Sequence, residues 1–264
     1  MIRAETVVWD RLAARSERYE SEEAEAGNGA RSAREGLVAR AGEMAPRVRP
    51  YVLMTAVSAI VATAGLLLDS PAVVVGSMVI APLIGPAMAA SVGTVVDDPE
   101  LALRGIKLQA LGGVVAVGAA AVFALVIRTT NVVPLSADEV FAIGEVRERL
   151  APDVLSLVIA LGAGAAGAVS LASGVSSALV GVMIAAALVP PTAVVGIGIA
   201  WGEPGAVVGS GVLVLVNILA INLVALVVLW RYGYRPRLWF REGEARETTL
   251  KRVATLAGVL VLPT

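Results

Sequence analysis

From Val154 to Gly202 the chain runs for 49 residues without a single Asp, Glu, Lys or Arg. As one α-helix, at 1.5 Å per residue, that stretch would be about 74 Å long. The hydrocarbon core of a bilayer is about 30 Å thick and is crossed by about 20 apolar residues. The stretch must therefore fold back on itself, and Ser173-Gly174-Val175-Ser176-Ser177 is the segment suited to the turn. A water-facing helical bundle would need charged outer faces, and a run of this kind has none to offer. Three more windows have the same character. Asp69 is the only charge between Arg49 and Asp97, and 108–127 and 204–230 carry none. Charged residues make up 16% of the chain, against roughly 25% in soluble domains. The expected fold class is an all-α polytopic membrane protein of about six spanning helices. These are placed near 51–68, 71–96, 103–127, 154–172, 177–201 and 205–230.

The flanks set the domain plan and the orientation. Residues 1–49 form a charged arm, with seven acids and four arginines before Gly27 and five arginines with two glutamates from 31 to 49. Its first part reads either as a solvated segment or as a regulatory or oligomer-contacting helix. A first three-helix membrane repeat covers 50–127, a loop 128–153, and a second repeat 154–230. A basic tail, 231–264, ends in a short apolar stretch from Val253 that is either an interfacial helix or the start of a further span. The loop holds three basic and five acidic residues, whereas 231–252 holds seven basic and three acidic ones. The positive-inside rule then puts both termini in the cytoplasm and 128–153 outside. The first 50 residues are polar and the first apolar stretch is a full span, so no signal peptide is expected.

Sliding the sequence by 105 residues lays 76–99 over 181–204 with seven identities in 24. Gly76, Met78, Pro86, Gly93 and Pro99 fall on Gly181, Met183, Pro191, Gly198 and Pro204. An odd number of helices per repeat means that the second copy crosses the membrane upside down. Inverted repeats of this kind characterise many transporters, whose sites lie where matched helices are broken near the midplane. Both helices here carry candidate breaks. They are Pro82, Gly85 and Pro86 in the first, and Pro190 and Pro191 in the second. Each proline lacks the N–H that bonds the carbonyl four residues back. The carbonyls of Met78, Pro82, Ala186 and Ala187 are thus expected to lose their partners, with Thr192 close by. In hydrocarbon such groups are tolerated against protein or a water-filled cavity. The plainer reading is that the prolines only kink two packed helices.

Other polar positions are few. Gln109, Asn217 and Asn222 are the amides inside the apolar windows, suited to interhelical hydrogen bonds or to a solute path. Asp69 and Ser70 precede Pro71, where Ser70 can cap a helix that starts on proline. Asp69 reads as a helix-terminus residue or as an intramembrane carboxylate with a function. The glycines of Gly205-xxx-Gly209 and of Gly162, Gly164 and Gly167 allow close helix approach and make a homo-oligomer plausible. The chain has no cysteine and no histidine, which excludes disulfides, thiolate or imidazole metal ligation and Cys or His nucleophiles. No catalytic constellation, cofactor motif or nucleic-acid signature is visible, so an enzyme is not expected.

The run Gly65-Leu-Leu-Leu-Asp69-Ser70-Pro71 through Gly76-Ser-Met78-Val-Ile-Ala81-Pro82-Leu-Ile-Gly85-Pro86 resembles the domain-of-unknown-function 389 family. The resemblance covers about 50–230 and rests on Asp69, Ser70, Pro71, Gly76, Pro82, Gly85 and Pro86. It implies a hydrophobic prokaryotic protein in the cell (inner) membrane and supplies no substrate. The function expected from these features is a membrane transporter or channel for an ion or small polar solute. The alternative is an oligomeric scaffold or sensor acting through its charged ends. The path expected for a transporter runs between the proline-bearing helices, with Asp69, Gln109 and Asn217 contributing.

Overall fold

The computed structural model describes residues 32–132, 134–174 and 178–234, and every regular element among them is a helix. The first helix, α1, runs through 32–44. It is followed by α2 (Val48–Leu67), α3 (Pro71–Ile80), α4 (Ile84–Val95) and α5 (Pro99–Thr130). The connecting segment holds the short α6 (Ala137–Ala142) and α7 (Gly144–Arg147), and α8 (Val154–Ser173), α9 (Ala178–Trp201) and α10 (Pro204–Arg231) follow as the last elements among the described residues. Five of these helices are long and apolar enough to cross a bilayer, and the α3–α4 pair, bent by 53°, passes the same test jointly. The turn residues 175–177, the segment before residue 32 and the tail from 235 with its apolar end lie outside the described residues.

Three corners of the bundle share one backbone solution. In each, a glycine in the last turn of the helix is followed four positions on by a residue at positive φ, then an extended residue and a proline that starts the next helix. The positive-φ residues are Asp69 (48°), Asp97 (56°) and Gly202 (73°). The next N–H reaches back to the glycine carbonyl: Ser70 to Gly65 at 2.9 Å, Asp98 to Gly93 at 2.8 Å and Glu203 to Gly198 at 2.9 Å. This is the Schellman arrangement. Pro71, Pro99 and Pro204 then sit at the first helical position, where a missing N–H leaves nothing unpaired. The returning helix packs directly on the glycine. A Cβ on Gly65 would meet Val74 N at 2.9 Å, one on Gly93 would meet Ala102 Cα at 2.7 Å, and one on Gly198 would meet Val207 N at 3.1 Å. In all three the contacted residue lies nine positions on.

The helix ends sort into two faces. At one face, Arg34 Nη2 donates to the Val96 carbonyl at 2.6 Å, Arg40 Nη1 to Leu171 at 3.0 Å and Arg104 Nη2 to Ala45 at 3.2 Å. The start of α2, the end of α4, the start of α5 and the end of α8 therefore meet there. At the other face, the Glu145 N–H donates to Asp69 Oδ1 at 3.1 Å, Ser210 Oγ to the Arg149 carbonyl at 2.7 Å and Trp201 Nε1 to the Leu135 carbonyl at 3.4 Å. The end of α2, the start of α3, the end of α9 and the start of α10 meet there. The bent α3–α4 pair starts at the second face and ends at the first, so it traverses the bundle.

The structure adds detail to two segments that the sequence left without a described fold and changes one expectation. Residues 32–44 are a helix built into the bundle, with Leu37, Ala41 and Ala45 buried in the same core as Met88, Leu171 and Leu229. The helix runs antiparallel to α4, from Arg34 at Val96 to Met44 at Gly85. The segment 128–153 is a folded cover, with Val140 and Val146 fully buried against residues of α2 and α9. The matched breaks are also corrected. The first repeat helix is interrupted at 81–83, whereas α9 continues as one helix through Pro190 and Pro191. Proline's fixed φ is compatible with a helix, and its cost lies in the lost hydrogen bond. Asn217 Nδ2 supplies one back by donating to the Ala187 carbonyl at 2.8 Å. Neighbouring side chains re-satisfy freed backbone in this way inside membranes.

Candidate functional site

A narrow cavity, part of it open to the outside, lies where α2, α4, α5, α9 and α10 come together. Leu83 at the α3–α4 interruption forms part of its wall, as do Val189 and Thr192 on either side of the α9 prolines. The two proline-bearing regions picked out from the repeat thus border one space. Gly113 of α5 leaves room along its wall, Gly112 admits the Tyr51 ring beside it, and Thr55, Gln109, Thr192 and Asn222 bring its polar groups. None of the fourteen residues lining it is charged.

The amides form a closed network across three helices. Gln109 Nε2 donates to Asn222 Oδ1 at 3.2 Å and Asn222 Nδ2 donates to Gln109 Oε1 at 3.1 Å. Ser91 Oγ of α4 donates to Asn222 Oδ1 at 3.2 Å, and Asn222 Nδ2 also reaches the Ile218 carbonyl at 2.9 Å. Asn222 thereby uses both N–H groups and both lone pairs of its carboxamide oxygen. Gln109 keeps a second N–H and a second lone pair that this network does not use. Thr192 Oγ1 donates to its own helix at the Leu188 carbonyl, 2.6 Å away, which leaves its hydroxyl able to accept. Beside the cavity, the Tyr51 hydroxyl donates to the Leu108 carbonyl at 2.9 Å and occupies the space next to Gly112.

Not every candidate from the sequence comes to this cavity. Gln109 and Thr192 line it. Asp69 lies exposed at one face of the bundle, where its carboxylate ties down α7, and Ser70 is the N-cap of α3 beside it. Met78 is buried in the apolar cluster with Ala185 and Val189. Pro82 is in the interruption itself, and Gly85 is filled against, since a Cβ there would lie 2.7 Å from the Met44 carbonyl carbon. Pro86 falls in the first turn of α4, where the N–H has no helical partner in any case, so it frees no carbonyl. Ala186 and Ala187 are outside the lining, and Asn217, 2% exposed, serves the Ala187 carbonyl. Its Oδ1 is buried without a hydrogen-bond partner among the described residues. Among the polar lining residues, sequence reasoning passed over Thr55 and named Asn222 only as one of three amides in the apolar windows. Asn222 stood out as an amide in an apolar window, whereas nothing in the sequence marked Thr55.

Groups of acids that could hold a metal ion are absent among the described residues. The titratable groups with a clear shift outside the spans are structural. Asp153 is held below the usual carboxylate range by hydrogen bonds from the Ser156 side chain and backbone at the start of α8. Glu139 is lowered likewise by Ser136 in the capping box of α6.

An uncharacterized protein of Methanocaldococcus jannaschii is 38% identical over 219 residues, which cover 82% of this chain and 65% of the relative. The chain thus spans about two thirds of the length of the relative it matches. No solved structure matches. The family model described as a domain of unknown function, DUF389, matches residues 78–223, a range that holds most of the cavity wall and the entire Gln109–Asn222 network, and the chain belongs to that family.

Proposed function

We propose that this protein is a membrane transporter or channel for an ion or small polar solute, with its path through the cavity between the two halves. The observation that carries the reading is the meeting of both proline-bearing regions around one space that also holds the Gln109–Asn222 pair. An inverted 3+3 plan is supported by the corners at 93–99 and 198–204. They share one backbone geometry at the 105-residue offset, yet they are anchored at opposite faces of the bundle. Exposed Arg47, Arg49, Arg104, Lys107 and Arg231 lie towards one face. That distribution supports an inner-membrane protein whose termini face the cytoplasm.

The test is flux into proteoliposomes for a panel of cations, small anions and polar metabolites, comparing wild type with Gly113→Leu. Gly113 lines the cavity and a Cβ there meets nothing within 4 Å. A side chain can therefore start there without moving backbone, and a leucine adds bulk at the cavity wall. Flux abolished by Gly113→Leu but kept by Gly118→Leu supports the reading, because a Cβ on Gly118 also meets nothing within 4 Å and Gly118 lies outside the lining. Flux through both variants alike refutes it.

A second reading, a scaffold or sensor acting through its charged ends, draws on the packing of α1 along α4. Removing 1–45 would strip Leu37 and Ala41 from the core, so the separating deletion is 1–31. A sensor loses its response on that deletion, and a transporter keeps its flux.

A further inference from the structure

We propose that the solute is uncharged and carries both a hydrogen-bond donor and an acceptor, as a small alcohol or carboxamide does. The inference rests on the transport reading above and narrows its substrate class.

Two elements could have made the cavity an ion site, and the structure occupies both. Carbonyls freed by the α9 prolines would suit a cation. The Ala187 carbonyl is taken by Asn217 at 2.8 Å, and neither Ala186 nor Ala187 is part of the lining. The N-terminus of α4, beside Leu83, would suit an anion. Its first turn lacks the Pro86 donor, and the carbonyl end of α1 is packed against it at Gly85. The negative end of one helix thus faces the positive end of the other.

The lining itself offers no formal charge of either sign. An ion entering such a space gives up its hydration shell without gaining a counter-charge, and that exchange is strongly unfavourable. A neutral solute gives up only a few hydrogen bonds. Gln109 can return one donor and one acceptor through the half of its amide that Asn222 leaves unused, and the Thr192 hydroxyl can accept another. Leu83, Leu188, Val189 and Ile218 supply the apolar remainder of the wall. A molecule with a short carbon skeleton and one polar end matches that division.

The experiment measures entry of glycerol and acetamide into proteoliposomes by stopped-flow light scattering, and of rubidium and chloride by tracer flux. Wild type, Gln109→Leu, Thr192→Val and Gly113→Leu are compared. Folding of each variant is checked by size exclusion and circular dichroism. Thr192→Val removes a hydroxyl without stripping a partner from another side chain, so it remains informative where Gln109→Leu fails to fold. The expected result is glycerol or acetamide entry at least tenfold above empty vesicles. Either recognition variant then lowers it several-fold, Gly113→Leu abolishes it, and rubidium and chloride stay at background. Rubidium or chloride flux blocked by Gly113→Leu overturns the uncharged class while leaving transport standing. Neutral flux unaffected by both recognition variants overturns the assignment to Gln109 and Thr192. Background rates for all four solutes with folded wild-type protein overturn the transport reading and this inference with it.

Discussion

Gly105 and Gly118 sit on the same helix, α5, and the same substitution to alanine should move stability in opposite directions. At Gly105 a Cβ would lie 2.7 Å from the Pro86 carbonyl oxygen and 2.8 Å from Ala90 Cα. All of this is backbone of α4, which cannot rotate away as a side chain would. Restoring ordinary contact requires α4 to retreat by roughly 1 Å, and overpacking of this kind costs about 1–3 kcal/mol. At Gly118 a Cβ meets nothing within 4 Å. There alanine gains up to about 1 kcal/mol of helix propensity, since glycine loses the most conformational freedom on ordering. For a protein of this size, 1 kcal/mol shifts the melting temperature by about 2–4 °C. Thermal unfolding in detergent, followed by circular dichroism, should show Gly105→Ala melting several degrees below wild type and Gly118→Ala at or slightly above it. Equal shifts for the two variants, or an unchanged Gly105→Ala, would refute the close packing of α4 on α5.

Asn217→Ala removes the bond to the Ala187 carbonyl and should cost about 0.6–2 kcal/mol, towards the lower end because its Oδ1 is already unpaired. In a Pro191→Ala background the backbone regains its own N–H donor for that carbonyl, so the Asn217 cost should shrink; additive effects in the double-mutant cycle would show that the two residues are not coupled. Leu37→Ala should destabilise by about 2–5 kcal/mol, since Leu37 is fully buried, and wild-type melting behaviour in that variant would place α1 outside the cooperative unit. Asp153 caps α8 by accepting from the Ser156 N–H at 2.9 Å, and its removal should cost about 1 kcal/mol at pH 7. Because the folded state lowers this carboxyl's pKa, its contribution is complete above the ordinary Asp value near 4 and is lost as pH falls through the depressed one. The gap between wild type and Asp153→Ala should therefore close on acidification, and a gap constant from pH 7 to pH 3 would argue against the ionised cap.

The spans were legible because charge-free windows and Pro-led helix starts are local signals. Pro71 opens its helix where Asp69 and Ser70 ahead of it indicated, whereas the third span starts at Pro99, four residues before the expected 103. The fate of Pro190 and Pro191 was not legible, because the donor that compensates one of them lies thirty residues away on α10. Only packing brings Asn217 to that carbonyl. The α1 helix had a signal of its own in Leu37, Ala41 and Ala45, spaced four apart among arginines, but the charge count of the arm obscured it. Gln109 and Thr192 could be marked as polar residues in apolar surroundings. Their common wall with Thr55 and Asn222 depends on where five helices cross, and pair spacing in one sequence carries no record of that.

The repeated Schellman corners bear on how the chain enters a bilayer. A turn carried across hydrocarbon during biosynthesis is expensive mainly through its exposed N–H and C=O groups. In the orientation proposed above, the turns carried across are those at 65–71 and 198–204, where these groups are largely closed on the turn's own backbone and the following proline has no N–H to hide. Contacts between residues only nine apart lock each pair of helices before any distant partner has been synthesised. Pairs such as α2–α3 and α9–α10 can therefore insert as preformed hairpins, leaving the long-range work of folding to the docking of hairpins already within the membrane.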